Sequence, residues 1–307
     1  MGWCSAILAG LCLAAAGPAA AAPPPLDDAA DSLIASLPHC PLRWTAAPGL
    51  SERAAVYVPV SADGATGWFQ LDTALDFTRI YGRFAAEQGW ETDDGLVLAP
   101  DFALGDISLG PTWMQAYDRD VFGEGDSLSG SVGLDLFAGR LLLLDFVGDR
   151  LALLTPGQLP TALRRRVTWA PAEIREAKLF LSVSLGGRSM TGLFFDTGSS
   201  AFPIVVDRST WCALTGRNGP EDAPERWEVS SWGRPITAIG APALGPLVIG
   251  SARLSDPLVY YLEEQPRMFE QWPFPAEGLI GNAALWGHVV LLDLGLRPRL
   301  GLLEGGQ

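Results

Sequence analysis

The sequence predicts a mostly β protein made of two similar halves, and three observations carry that expectation. Short apolar runs recur along the chain, bounded by Gly, Pro, Asn or Asp, as buried strands joined by tight turns require. Gly (35) and Pro (24) are abundant enough to punctuate many such strands. Four blocks then occur twice in the same order. Thr66-Gly67-Trp68-Phe69-Gln70-Leu71-Asp72-Thr73-Ala74 parallels Thr191-Gly192-Leu193-Phe194-Phe195-Asp196-Thr197-Gly198. Trp90-Glu91 with Gly95 parallels Trp227-Glu228 with Gly233. Ala103-Leu104-Gly105 with Gly110 parallels Ala243-Leu244-Gly245 with Gly250. Gly133, Gly139, Leu143, Leu144 and Asp145 parallel Gly281, Gly287, Leu291, Leu292 and Asp293 at a constant offset of 148. The chain is therefore read as a duplicated unit of roughly 100 to 130 residues, a usual domain size.

In chain order, residues 1–22 read as an export signal, with an apolar segment and an Ala-rich cleavage pattern but no basic residue at its start. Residues 23–53 are an N-terminal arm, Pro-rich, with a short helix expected over 28–37. The first half spans 54–154. Strands are expected over 53–58, 68–71, 102–110 and 141–146, and a short helix over 78–88. Asp94-Gly95 signals a hairpin over 89–98. Residues 155–176, with Pro156, Pro160 and Pro171, read as a linker. The second half spans 177–307. Alternation over 179–185 and continuous apolar character over 193–195 and 289–292 predict strands. A helix is expected over 207–215, and a second hairpin over 227–239 turning near Trp232-Gly233.

The bulk composition narrows the function classes. A formal net charge of −14 disfavours nucleic acid and anionic membranes as partners. Arg164-Arg165-Arg166 reads as a solvated turn. No stretch beyond the signal is long and apolar enough to span a bilayer. Cys4 and Cys12 fall in the signal, leaving Cys40 and Cys212. In an oxidising compartment these two are a candidate disulfide, with two free thiols as the equal alternative. The only histidines, His39 and His288, suggest no catalytic pair, and no Gly-x-Ser-x-Gly stretch occurs.

The chemistry concentrates on two acids. Leu193-Phe194-Phe195 ends in Asp196-Thr197-Gly198-Ser199, and Trp68-Phe69-Gln70-Leu71 ends in Asp72-Thr73-Ala74. A carboxylate closing an apolar strand is costly unless it is hydrogen-bonded or functional. These motifs, with Leu279-Ile280-Gly281 and the looser Ser131-Val132-Gly133, resemble the aspartic proteases, both the two-lobed pepsin-like and the dimeric retroviral enzymes. The resemblance implies a pepsin/retropepsin-like acid protease fold, with two homologous β-barrel-like lobes and the active site between them. It implies a catalytic pair, Asp72 and Asp196, supported by Thr73, Ala74, Thr197, Gly198 and Ser199, with Gly133 and Gly281 in the psi-shaped loops. Asp76, Trp90, Gly95, Trp232 and Gly233 are the expected substrate and flap residues, two flaps in one chain. The aromatic Trp90 and Trp227 are equally open to a packing role. Asp145 and Asp293 are expected to form turns.

Two carboxylates held close cannot both be ionised, so one keeps a proton while the other accepts one from water. Neither a metal nor an organic cofactor is required. The expected protein is a monomeric, exported endopeptidase acting on peptides or unfolded proteins. Ala74 stands where the family has Gly, and this keeps a second reading open: a protease-like fold that binds a peptide or protein partner without cutting it.

Overall fold

The computed structural model describes residues 26–90, 94–117, 128–231, 234–255 and 257–303. The expected export signal and the hairpin-tip residues Trp232 and Gly233 lie outside them. The chain is mostly β and forms two sheets.

The arm contributes α1 (Asp28–Ala35), β1 (His39–Pro41) and β2 (Arg43–Ala47). The first half follows as β3 (Ser51–Ala62), β4 (Ala65–Leu71), β5 (Arg79–Tyr81), α2 (Gly82–Glu87), β6 (Leu96–Leu104), β7 (Ile107–Tyr117), β8 (Leu128–Val132), β9 (Leu141–Asp145) and β10 (Arg150–Leu154). Next come α3 (Thr161–Arg164) and β11 (Val167–Arg175). The second half is β12 (Lys178–Leu185), β13 (Arg188–Asp196), β14 (Ile204–Val206), α4 (Arg208–Thr215), β15 (Glu225–Ser231), β16 (Arg234–Pro242), β17 (Leu247–Ile249), β18 (Ala252–Leu254), β19 (Leu258–Leu262), β20 (Gly278–Gly281), β21 (Val289–Asp293) and β22 (Arg299–Leu303).

Seven strands in the order β2-β3-β4-β8-β5-β7-β6 make the first sheet. A further pairing of β3 with β6 curls it back on itself. The larger sheet runs β1-β10-β9-β21-β22-β11-β12-β13-β20-β14-β19-β16-β15, with β17 and β18 attached to β12. The duplication is visible in both. In the first half β8 lies between β4 and β5, parallel to the former and antiparallel to the latter. In the second half β20 lies in the same way between β13 and β14.

The halves meet through β9 and β21, which pair antiparallel with Leu143 opposite Leu291. These are repeat-equivalent residues, so a local two-fold axis passes between them. Their side chains, with Leu141 and Val289, face a cluster closed by Ala30 and Ile34 of α1 and Leu163 of α3. Asp27 caps α1 by accepting the Ala30 N–H at 2.8 Å, one of the orphan donors of a helix start.

Several expectations need correction. The segment expected as the linker carries a strand in its second part, β11, whose first residues pair with β22 and whose last pair with β12. The helix expected from Thr78 begins instead as β5, and α2 starts at Gly82. Asp94-Gly95 does turn, at φ of +52° and +78°, while residues 91–93 of the expected first arm lie outside the described residues. The strand that follows pairs with β7, and that hairpin turns at Gly105-Asp106 between Leu104 and Ile107. The second expected hairpin forms as β15 and β16, from Glu225↔Gly240 to Ser231↔Arg234.

Candidate functional site

β4 and β13 end at equivalent places, and each delivers a carboxylate to the junction of the two halves. Leu71, Phe194 and Phe195 are buried, and so are Asp72 and Asp196, at 0% and 3% exposure. The backbone N–H of Ala74 donates to Asp72 Oδ1 at 3.0 Å, and that of Gly198 donates to Asp196 Oδ1 at 2.8 Å. Each acid is thus held by the N–H two residues on, the turn geometry that Asp favours.

Beneath them the two threonines clasp one another. Thr73 N–H donates to Thr197 Oγ1 (2.9 Å), and Thr197 N–H donates to Thr73 Oγ1 (3.1 Å). The Thr73 hydroxyl donates to the Phe195 carbonyl (3.0 Å), and the Thr197 hydroxyl to the Leu71 carbonyl (2.9 Å). Each hydroxyl accepts once and donates once across the two-fold axis. With both threonines buried, that closed circuit leaves neither hydroxyl orphaned and fixes the register of the two loops.

Two glycines complete the loops because there is no room for a side chain. A Cβ on Gly281 would run into the carbonyls of Ser199 and Phe202, and one on Gly133 would lie 2.7 Å from Asp135 Oδ1. Gly133 N–H donates to Thr78 Oγ1 at 3.0 Å, and Gly281 N–H to the Pro203 carbonyl at 2.9 Å. Asn282, which sequence reasoning missed, donates to the Thr197 carbonyl (2.8 Å) and Ser200 Oγ (2.7 Å). Gln70, also missed, reaches from the first half to the Gly198 carbonyl at 3.3 Å.

The electrostatics follow from this burial. Desolvation pushes both carboxyls above the ordinary Asp range, and the negative charge of Asp196 pushes Asp72 further. For Asp196, burial is opposed by the Gly198 N–H, the hydrogen bond with Asp72 and the charge of Lys178. Asp72 Oδ2 is buried and receives no donor from the rest of the protein among the described residues. Gln70 Oε1, Ser199 Oγ and Asn282 Oδ1 are likewise buried without a partner among the described residues. Unpaired buried polar atoms are rare enough that their gathering here marks the place.

Not every expected residue joins the site. Ser199 does meet Asp196, through its backbone N–H and not through its buried hydroxyl. Asp76 is 62% exposed and lies 3.6 Å from Arg79. Trp90 packs edge-on against Phe84 at 6.0 Å. Trp227 is buried, with its N–H donated to Glu225 at 3.0 Å. Both tryptophans pack, the alternative their positions left open. Cys40 and Cys212 are free thiols. Cys40 is buried against Gly105 of the first half, whereas Cys212 lies on α4 with its thiol directed at the Asn218 carbonyl. Asp145 and Asp293 cap turns as expected: Asp145 accepts from Val147 and Gly148 and pairs with Arg150, and Asp293 accepts from Gly295 and pairs with Arg299. Among the described residues, no helix is long and apolar enough to cross a membrane.

No known family model matches the chain, and no curated protein does. Among solved structures it is similar to conglutin gamma, described as a unique basic 7S globulin from lupine seeds. That match has a TM-score of 0.50 and 11% sequence identity, over 88% of this chain and 95% of that chain. At that identity the likeness is one of fold.

Proposed function

We propose that this chain is an exported aspartic endopeptidase with a pepsin/retropepsin-like fold, acting through Asp72 and Asp196. One observation carries the reading: two buried carboxylates, each ending an equivalent strand, held in register by reciprocal threonine hydrogen bonds. Two acids placed so closely share a proton and titrate as a unit.

A pair in that state has what amide hydrolysis needs. The water oxygen bonds to the carbonyl carbon while the ionised carboxylate takes one water proton. The protonated carboxyl gives its proton to the carbonyl oxygen. The C–N bond of the tetrahedral intermediate then breaks, the leaving nitrogen receives a proton from the first acid, and the second recovers its own from a hydroxyl. The chain's part is to hold both acids in line and dry, and the threonine clasp does so. The hairpin β15–β16 is the candidate cover for an extended substrate.

The residue at odds with the family pattern is accommodated. Ala74 is fully buried, and its methyl belongs to an apolar cluster with Phe180, Phe194 and Phe202 of the second half. Its N–H still reaches Asp72, which supports a working pair.

Purified mature protein is expected to cleave an unfolded protein at acidic pH and to be blocked by a statine-type peptide. D72N and D196N should each lower kcat/KM by about 10³-fold or more. No cleavage of a broad peptide library from acidic to neutral pH would sink this reading in favour of peptide binding without hydrolysis.

A further inference from the structure

Of the 21 Lys and Arg residues in the chain, 20 are Arg, and Lys178 is the single lysine. It is not on the surface. Lys178 opens β12 and is 3% exposed. Its ammonium lies 5.8 Å from the Trp272 ring centroid and 5.7 Å from that of Phe274. It forms no ion pair with a carboxylate among the described residues. Burying an unpaired ammonium is expensive, and ring faces offset only part of the cost. A buried, unpaired cation in a chain that otherwise uses Arg therefore calls for a role.

Its position supplies one. β12 and β13 pair with Phe180 opposite Phe194. Carrying that register on by two residues sets Lys178 opposite Asp196. Side chains alternate along a strand, so Lys178, Phe180, Phe194 and Asp196 share one face. In the first half, β3 and β4 pair with Val58 opposite Phe69 and Tyr57 opposite Gln70. The same step there sets Ala55, buried at 2% exposure, opposite Asp72. One acid thus has a cation as its cross-strand neighbour, and its twin has a methyl group. The two-fold symmetry of the threonine clasp is broken at this place by charge.

The surrounding charges are otherwise engaged. Arg175, across the β11–β12 turn, gives its guanidinium to the Thr191 carbonyl, Glu173 and the face of Phe180. Glu277 accepts the N–H groups of Thr191 and Gly192. The segment over Lys178 presents the rings of Trp272 and Phe274. The Lys178 charge acts on both Asp72 and Asp196, opposing the burial that raises them.

We propose that Lys178 is a positioning residue, a fixed positive charge that places the pair's one negative charge on Asp196 and leaves the shared proton on Asp72. The kinetic part of this proposal rests on the hydrolytic reading above. Under it, Asp196 takes the proton from water and Asp72 protonates the carbonyl oxygen.

A single lysine makes the test direct. Labelling with [15N]lysine gives one Nζ signal. In the intact protein that signal should shift as the acid pair titrates, and D196N should abolish the shift. K178M should move the whole bell of kcat/KM against pH to higher pH, by roughly one unit. Removing a nearby cation makes both protons of the pair harder to lose, so both limbs move the same way. K178Q removes the charge with a neutral polar side chain and covers the case in which Met does not fold. An Nζ signal indifferent to D196N, or K178M and K178Q bells that overlie the wild type or move to lower pH, overturns the proposal. The Nζ readout needs no turnover. An inactive protein whose Nζ follows Asp196 would sink hydrolysis and keep the charge placement; an active one with an unmoved bell would do the reverse.

Discussion

Gly198 and Ala74 occupy equivalent positions in the two halves. A Cβ built on Gly198 would lie 2.8 Å from Asp72 Cγ, 2.9 Å from Asp72 Oδ2 and 3.0 Å from Asp196 Oδ1. A methyl there pushes directly on both acids. The methyl of Ala74 is already present and belongs to the apolar cluster of the second half. Gly198→Ala is therefore expected to lower kcat by about 10²-fold or more, since hydrolysis tolerates little misplacement of the acids. Ala74→Gly should keep cleavage and cost roughly 1 to 2 kcal/mol in urea unfolding, from one lost buried methyl and a freer unfolded backbone. Similar losses of activity in both variants would show that the asymmetry is unimportant. The two acids were legible in the sequence because each closes an apolar run and the runs repeat. The fate of the Ala74 methyl was not, because it depends on side chains about 100 to 200 positions away. Lys178 was missed for a related reason. Its neighbour Asp196 is set by strand register, although the presence of only one lysine was there to be noticed.

At the scale of elements, the clasp between the β4 and β13 ends holds the site in register. Replacing Thr197 by Val keeps the shape but removes the acceptor for the Thr73 N–H and the donor to the Leu71 carbonyl. Leaving these buried groups unpaired should cost about 2 to 4 kcal/mol. Thr197→Ser, which retains the hydroxyl, should recover most of it. Urea denaturation of both variants checks this, and equal stabilities would place the clasp's energy elsewhere. Element type was legible where the periodicity was strong, as in β9, β12 and β21. Asp94-Gly95 shows what a turn signal leaves open. The turn residues were recognised and do adopt positive φ, but a turn signal does not name the partner strand. Trp90 is taken up by Phe84, and the apolar, alternating β6 finds its partner in β7. The proline-bearing segment 155–176 was read as a linker because Pro interrupts strand patterns. Inside the larger sheet, β11 tolerates Pro171 by pairing with β22 up to that residue and with β12 beyond it.

At the scale of the whole molecule, the constant offset of 148 is the two-fold axis seen in one dimension: Leu143 and Leu291 are repeat partners that pair with each other. The acid pair lies at the junction of the same two halves, so its ionisation is linked to the stability of the fold. Burial raises both carboxyls above the ordinary Asp range, Asp196 to about 6 and Asp72 in the same direction. An acid with a raised folded-state pKa holds its proton more tightly in the native protein than in the unfolded chain. Its contribution is intact below the unfolded value and is lost as pH rises through the folded one. The pair should therefore favour the fold in acid and weaken it toward neutrality. Asp72→Asn removes the like-charge conflict while keeping an oxygen for the Ala74 N–H. At neutral pH this variant should be more stable than the wild type by on the order of 2 kcal/mol, and the difference should close below about pH 4. Urea unfolding across that range measures it. A variant no more stable than the wild type at neutral pH would mean that the pair is already relieved there, by water or by the Lys178 charge, and that its two carboxylates ionise without cost to the fold.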